Sequence, residues 1–595
     1  MVILMNQEQN EDFAVYSVSV YRTEKLVDYV LADLESRVKK DRAVKLSVLF
    51  TGLSSFLHDP INLFLKGESG IGKTYNVTET LKYFPEDCVW FLGGMSRKSL
   101  VHSYGVLLNR NGEEIDLDSR PTKPSKKNFD SEEDFKKAVQ NYQEQLKDRR
   151  EEMRDSYTLV DLSRKVLVFL ESPDFETFQM LRPILSHDKE EIQYQFVDKT
   201  GKGQLQTRRV VLKGWPATIF LSTDTRYMEE LATRSFTATP ENSEVKILEA
   251  NVLTNMKASL PWQYEEEAQA FRVISGLIHR LQEQASESKV DVIIPFLNLY
   301  ELFPKEISRD MRDFQHFTQL LKTVTLLHYF QRPYMKVGGS KFLIASLDDV
   351  RRALGVYTEI FETTRTGTEK QILNFYHEIV KTKDSWYLKQ LTCEYNKTAK
   401  KKLSEDSIRV MLLRLDRIGY VNSQRDDEDK RKNLYVPLMK GEEKGENPRE
   451  TALRVDFDAK MKKGFESWKE NVRENLTFYY YKNISEKAWG ESLISIEDLD
   501  KLVLAENADF SSIVKPKISR LISNEESSSK PEKSHETSGK PTFQQDSDNS
   551  QTANNNMLIP CPYCRASGKK MFFASDIDLQ AHVNAFHDGS PDYTS

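Results

Sequence analysis

Gly67, Gly70 and Gly72 alternate with Glu68, Ser69 and Ile71 and run directly into Lys73 and Thr74, giving Gly67-Glu68-Ser69-Gly70-Ile71-Gly72-Lys73-Thr74. Glycines let a backbone curl until successive N–H groups converge on one anion, and a helix starting at that point adds the favourable end of its dipole. A lysine there reaches the β- and γ-phosphates, and the neighbouring hydroxyl suits Mg²⁺. The spacing predicts a cradle for a nucleoside triphosphate, ATP with Mg²⁺, bound by Gly67, Ser69, Gly70, Gly72, Lys73 and Thr74. The competing reading is a chance match to a glycine-rich turn. Against it stand the apolar run Ile61 to Leu65 before the loop and the helical pattern Tyr75, Val77, Leu81 after it.

Hydrolysis would need an acid beside the metal or the attacking water. The apolar stretch Val166-Leu-Val-Phe-Leu-Glu171 ends in one. The usual pattern is Asp then Glu, whereas Glu171 is flanked by Leu170 and Ser172, with Asp174 two residues beyond the serine. Either Glu171 takes one of the two roles alone or Asp174 supplies the other. This departure leaves binding better supported than turnover.

A second constellation is cationic. Two alternating strands, Ile192 to Val197 and Gln206 to Leu212, surround a tip that places Lys199, Lys202, Arg208 and Arg209 around Gly201 and Gly203. Such a tip is either a solvated turn or a surface for a nucleic-acid backbone, which lysine and arginine meet without sequence preference. A third constellation is thiolate and imidazole: Cys561 and Cys564, seventeen residues, then His582 and His587. Two thiolates and two imidazoles suit tetrahedral Zn²⁺, and a unit this small has too thin a core to fold without metal. The interval exceeds the usual ~12 to 15 residues and predicts an extended loop near Ser567 to Lys570. Nucleic acid, through Arg565, Lys569 and Lys570, and a partner protein are both open as its ligand.

The elements that must hold these groups follow from periodicity. Residues 1–57 read as a helical lead-in, and residues 58–242 as strands alternating with helices, an α/β nucleotide-binding core. That core carries a charged helical insertion at 126–155 and the hairpin at 190–213. From 243 to 364 the pattern is almost wholly helical and predicts a lid. Residues 365–440 read as three helices and a polar hairpin, a winged helix. In it Ser404 caps a helix, and Lys400, Lys401, Lys402, Lys430, Arg431 and Lys432 could meet phosphates. Asp426, Asp427, Glu428 and Asp429 share that wing, so a protein-docking role stays open. Residues 441–520 are mixed and mainly helical, with an unassigned cluster Phe478, Tyr479, Tyr480, Tyr481. Residues 521–556 lack large apolar side chains and predict a disordered linker to the terminal zinc unit at 557–595.

This order of parts resembles the AAA+ ATPases that carry a hairpin before the sensor-1 strand, such as minichromosome maintenance helicases and bacterial enhancer-binding activators. The resemblance covers roughly residues 40 to 365. It implies that the strand Ala217 to Leu221 ends in a sensor-1 residue among Ser222, Thr223 and Asp224, with Thr223 preferred. It implies that Arg234, in Glu229-Glu-Leu-Ala-Thr-Arg234-Ser-Phe, is an arginine finger for a neighbouring subunit, and that Arg312 is the sensor-2 arginine, with Arg309 competing. Each arginine could equally form a surface ion pair. The hairpin would then contact DNA in the pore of a ring, and the assembly would be a homo-oligomer, a hexamer in the family. Short segments, among them Met95-Ser-Arg-Lys-Ser-Leu-Val and Leu181-Arg-Pro-Ile-Leu-Ser, are also similar to ATPases of phages, plasmids and integrative elements that accompany primases. That similarity makes a primase or another replication protein an expected partner.

Composition bounds the rest. A chain of 595 residues exceeds one hydrophobic core. Charged residues make up 30%, no apolar run approaches ~18 residues, and Met1 to Met5 is too short for a signal segment. Four cysteines with only one close pair argue against a disulfide framework. The expectation is a cytoplasmic protein with no membrane partner. The net charge of -6 offers no global attraction to DNA, so local patches must supply it. The leading expectation is an ATP-driven DNA motor or replicative helicase. Its rivals are a DNA-bound regulator or protein remodeller, and an ATP-binding switch with little turnover.

Overall fold

The computed structural model describes residues 17–504 apart from breaks at 18, 24, 95, 117–120, 130, 155, 172, 200–204, 222–230, 232–233, 264–267, 306–308, 399–401, 427–431, 439–451, 453–455, 473–476 and 486–487. It also describes the paired strands Ile559–Pro560 and Phe572–Phe573. The architecture is mixed α/β. Two helices, α1 (Leu26–Arg37) and α2 (Arg42–Ser54), lead in. Every residue of α2 from Val44 to Ser54 is buried, as expected of a helix enclosed on all sides. There follow β1 (Asn62–Leu65), α3 (Lys73–Leu81), β2 (Val89–Leu92), α4 (Arg97–Tyr104), β3 (Val106–Leu108) and α5 (Glu132–Arg154), a single helix through the charged insertion. Next come β4 (Tyr157–Asp161), β5 (Val166–Phe169), α6 (Phe175–Leu185), β6 (Glu191–Lys199), β7 (Leu205–Lys213), β8 (Ala217–Phe220) and β9 (Phe236–Ala238).

Five of these strands form a parallel sheet in the order β2-β5-β8-β1-β9. β1, β5, β8 and β9 are buried along their whole lengths, which is why they read as continuous apolar runs rather than alternations. Phe64, Phe169 and Phe220 stack across them, with ring centroids 4.5 and 4.8 Å apart. A second sheet, β3-β4-β7-β6, carries the long hairpin of β6 and β7, paired in register from Glu191↔Lys213 to Lys199↔Leu205.

The lid contains α7 (Glu244–Ser259), α8 (Gln269–Glu287), β10 (Val290–Ile293), α9 (Arg309–Leu327), β11 (Tyr334–Val337), β12 (Ser340–Ile344) and α10 (Leu347–Thr366). The expectation of an almost wholly helical lid therefore needs correcting. Its strands are four or five residues long, too short to register as a period. The turn that announces them, Gly338-Gly339, has both φ angles positive, at 56° and 81°.

A compact unit follows, built of α11 (Lys370–Glu378), β13 (Trp386–Tyr387), α12 (Leu388–Thr398), α13 (Glu405–Arg417), β14 (Val421–Arg425) and β15 (Asn433–Pro437), with its own core around Trp386, Leu412 and Tyr435. Glu362 of α10 holds it, accepting from Tyr420 Oη at 3.1 Å and lying 2.7 Å from His377 Nε2. The chain then returns to the lid through α14 (Phe457–Asn471), β16 (Phe478–Ser485), β17 (Ala488–Ile494) and α15 (Ile496–Leu504). β16 and β17 extend the lid sheet to β10-β12-β11-β16-β17, and one core cluster runs from α1 through β1 to α15. Among the described residues no helix is long and apolar enough to cross a membrane.

The lid is organised around Arg332, wholly buried, which donates twice to Asp349, at 2.7 Å from both Nε and Nη2. Burial alone would raise the Asp349 carboxyl, but the Arg332 charge and its hydrogen bonds hold it well below the usual carboxylate range. His328 lies beside this pair, 3.6 Å from Asp349, with Nδ1 2.8 Å from Val324 O. Burial, then the charges of Arg332 and Arg352, push its pKa down to about 3. A histidine whose folded pKa lies below its unfolded value of 6.5 stabilises the fold fully above that value and costs stability as pH falls towards 3. Over that window each pH unit removes up to about 1.4 kcal/mol. The thermal midpoint of the wild type should therefore fall steeply from pH 6.5 to 4.5, and His328→Gln should show a shallower fall in the same scans.

Candidate functional site

Parallel sheets place their functional loops beyond the carboxyl ends of the strands. β1 delivers Lys66 and the glycine loop to that edge, and α3 begins at Lys73. Gly67, Gly70 and Gly72 take φ angles of 141°, 82° and 93°, a region open to glycine and costly for any other residue. Lys73 folds back over the loop, donating to Gly67 O at 2.6 Å and Glu68 O at 2.8 Å. Burial lowers its pKa, while the Glu369 carboxylate acts in the opposite direction.

The loop is held from beneath by residues to which no motif points. Asp41 begins α2 in a left-handed conformation and its side chain is fully buried. It accepts from Asn76 Nδ2 at 2.7 Å and Glu241 N at 2.6 Å, and pairs with Lys246 at 2.5 Å. Asn76 Nδ2 also donates to Gly72 O at 2.9 Å, and Lys246 Nζ to Ile71 O at 2.9 Å. Within a trans peptide the N–H points opposite to the preceding carbonyl. Anchoring the Ile71 and Gly72 carbonyls inward therefore turns the N–H groups of Gly72 and Lys73 the other way.

Open space lies along the loop. One cleft of 540 Å³ is lined by Ser69 to Gly72, Tyr75, Lys246 and Lys257, and a second of 850 Å³ by Gly67, Glu68, Ile71, Glu369 and Glu378. Volumes of this order accommodate a nucleotide. Thr74 is exposed at the second position of α3, and Glu171 is exposed just past β5. The Glu171 carboxylate approaches Gly94, where a Cβ would stand 3.9 Å from Oε2. β5 is two strand spacings from β1, about 10 Å, so both residues face one edge region. Their oxygens are hard donors of the kind Mg²⁺ takes.

The other sequence candidates are distributed more widely. Asp174 caps α6, with Oδ1 accepting from Thr177 N at 2.7 Å and Oδ2 from Thr177 Oγ1 at 3.0 Å. Arg234 donates to Ser186 O at 3.1 Å and Asp188 at 2.8 Å. Ser186 and Arg234 together lower the Asp188 carboxyl. Phe236 is level with Leu63, so Arg234 lies near the amino end of the sheet, about 20 Å along the strand direction from Gly67. At that distance it does not reach its own glycine loop. Arg312 is exposed on the first turns of α9. On the hairpin, Arg209 is exposed and donates to Gln193 at 2.8 Å, with its guanidinium 5.8 Å from the Tyr157 ring. The side chains of Lys199 and Arg208 lie outside the described residues, as do Lys202, Thr223, Lys400, Lys401, Lys430, Arg431 and the four residues Cys561, Cys564, His582 and His587. The pairing of Ile559 with Phe573 and Pro560 with Phe572 brackets the two cysteines.

Sequence reading missed Asp41, Asn76, Lys246 and Glu369, because they are ordinary polar residues whose importance comes from sites far away in the chain. Replacing Lys246 by Met would leave the Asp41 carboxylate buried without its cation, at a cost of about 3 kcal/mol. The expected result is a lower melting temperature together with loss of the stabilisation that added nucleotide gives the wild type.

No protein-family model matches the chain, and no curated protein matches it. Among solved structures it is similar to the Aeropyrum pernix Orc1 protein in complex with DNA, at 11% identity, covering 72% of this chain and 97% of that one with a TM-score of 0.18. A score that low adds nothing to the reading that follows, which rests on this chain's own residues.

Proposed function

We propose that the protein is an AAA+ ATPase that uses ATP with Mg²⁺ to drive work on DNA, with a DNA motor of the helicase or replication type as the leading form. The observation that carries the reading is the anchored glycine loop on β1, three positive-φ glycines with inward-tied carbonyls and an open cleft along Ser69 to Gly72. The loop amides and Lys73 would bind the phosphates, and the exposed face of Glu171 would hold or orient the attacking water. Thr74 and Glu171 would hold the magnesium ion. Bound there, it would neutralise charge on the transferring phosphoryl group.

Arg234, too far from its own loop to reach it, would serve a neighbour's site in an oligomer, a hexameric ring in the resemblance, while its pair with Asp188 fits the alternative of a surface ion pair. Arg312 and Thr223 would act as sensors of the γ-phosphate. The β6–β7 hairpin, about 30 Å long, would carry Lys199, Lys202, Arg208 and Arg209 to the DNA backbone. The 370–437 unit would act as a winged helix, and a primase would be a separate chain. Cys561, Cys564, His582 and His587 would bind zinc, and native mass spectrometry should find a zinc ion that Cys561→Ser releases.

A second reading, an ATP-binding switch with little turnover, draws support from Asp174. Both its oxygens are engaged by Thr177 as a helix cap, which turns it away from the second acidic role beside Glu171. Steady-state hydrolysis with and without single-stranded DNA decides between the two readings. The motor reading expects a DNA-stimulated rate that falls by roughly a hundredfold or more in Lys73→Ala and Glu171→Gln. Binding without turnover in the wild type would replace it with the switch.

A further inference from the structure

The hinge into the three-helix unit is tied to the glycine loop. Gly367 caps α10 with φ 62°, and its carbonyl accepts from Lys66 Nζ at 2.7 Å, the residue immediately before Gly67. Two residues on, Glu369 occupies the N-cap position of α11 without capping it through its side chain. Instead its carboxylate pairs with Arg414 of α13 at 3.2 Å and lines the 850 Å³ cleft across from Gly67, Glu68 and Ile71. The side chain is only 20% exposed.

We propose that the three-helix unit contributes Glu369 to the nucleotide site as a displaceable anion opposite Lys73, so that the triphosphate and the docked unit compete for the cationic end of the glycine loop. The proposal rests on the nucleotide reading given above. Lys73 Nζ sits on the carbonyls of Gly67 and Glu68, two of the residues that share this cleft with Glu369; burial lowers its pKa, and the Glu369 carboxylate acts against that. The same cleft carries Glu378 of the three-helix unit and, from the glycine loop and the strand-to-lid linker, Glu68 and Glu241, so an entering polyanion meets carboxylates besides Glu369. Phosphate at Lys73 would repel Glu369 and strengthen its attachment to Arg414, loosening the unit from the loop. By reciprocity, anything that pulls the unit away raises affinity for nucleotide. Glu369 is thus a positioning residue through which the occupancy of the loop reaches the three-helix unit.

The test is equilibrium binding of a fluorescent ATP analogue with Mg²⁺ to the full chain. Glu369→Gln should tighten binding by about five-fold, and Arg414→Ala should weaken it by a similar factor, because the unshared carboxylate then turns to Lys73. The gap between Glu369→Gln and wild type should shrink at high salt, which a purely structural effect would not do. Lys73→Ala is the control for the site itself. If Lys73→Ala loses binding while Glu369→Gln and Arg414→Ala stay within about two-fold of wild type, the proposal is overturned and the nucleotide reading stands. If the wild type does not bind the analogue, both fall together.

Discussion

A carboxylate taken out of water is costly unless every lone pair finds a donor, and the Asp41 carboxylate sits fully buried beneath the glycine loop. Its partners come from three separate stretches of chain: Asn76 on α3, the Glu241 backbone in the strand-to-lid linker and Lys246 on α7. Satisfying that one group therefore fixes the start of α2, the glycine loop and the entry to the lid relative to one another. The loop carbonyls at Ile71 and Gly72 are held by the same side chains, so the outward-facing loop amides inherit their direction from it. The geometry at the loop is a consequence of burying Asp41.

The lid repeats the device with Arg332 and Asp349, and the returning tail adds another. Lys341 is almost fully buried, donates to Tyr329 Oη at 2.9 Å, and has the rings of Tyr329, Tyr334 and Tyr481 within 4.6 to 5.3 Å of its ammonium. Such a cage stabilises a cation that has lost its water. It also binds β16 to the lid, because Tyr481 belongs to the returning hairpin, and Arg22 donates to Tyr481 O at 3.0 Å. The lead-in near residue 22 and the returning hairpin near residue 481 thus meet on the same strand. The three-helix unit is left as an insertion between α10 and α14, tied to α10 through Glu362, and Glu369 at its start lines the cleft beside the glycine loop. A module attached in this way can answer to the state of the loop without unfolding the lid.

Much of this was legible in the residues. The glycine loop, the parallel strands of the core and the paired lead-in helices each follow from local rules: positive φ demands glycine, doubly buried strands demand apolar runs, and a helix enclosed on all sides demands apolar residues at every turn. The long hairpin ahead of β8 was legible for the same reason, as two alternating stretches around glycines. Phe478 to Tyr481 could not be assigned from sequence, since an aromatic run fits a helix or a strand equally well until its neighbours are known. The structure assigns it to a strand, since Tyr334 on β11 pairs with Tyr479 and their rings stack at 5.6 Å.

What the sequence determined by itself was the set of groups on offer: a glycine loop running into Lys73 and Thr74, an acid at Glu171 and a cationic hairpin tip. What only the tertiary structure decided was which groups share space. Asp174 turned out to be engaged by Thr177 as a helix cap, Arg234 to lie at the far end of the sheet from its own loop, and Glu369, some three hundred residues along the chain, to face the glycine loop across a cleft. The physical reason is that backbone conformation is set by neighbours a few positions away, whereas electrostatic partnership depends on distance through space. That distance is established only when strands distant in sequence pair and the buried charges find their counterions.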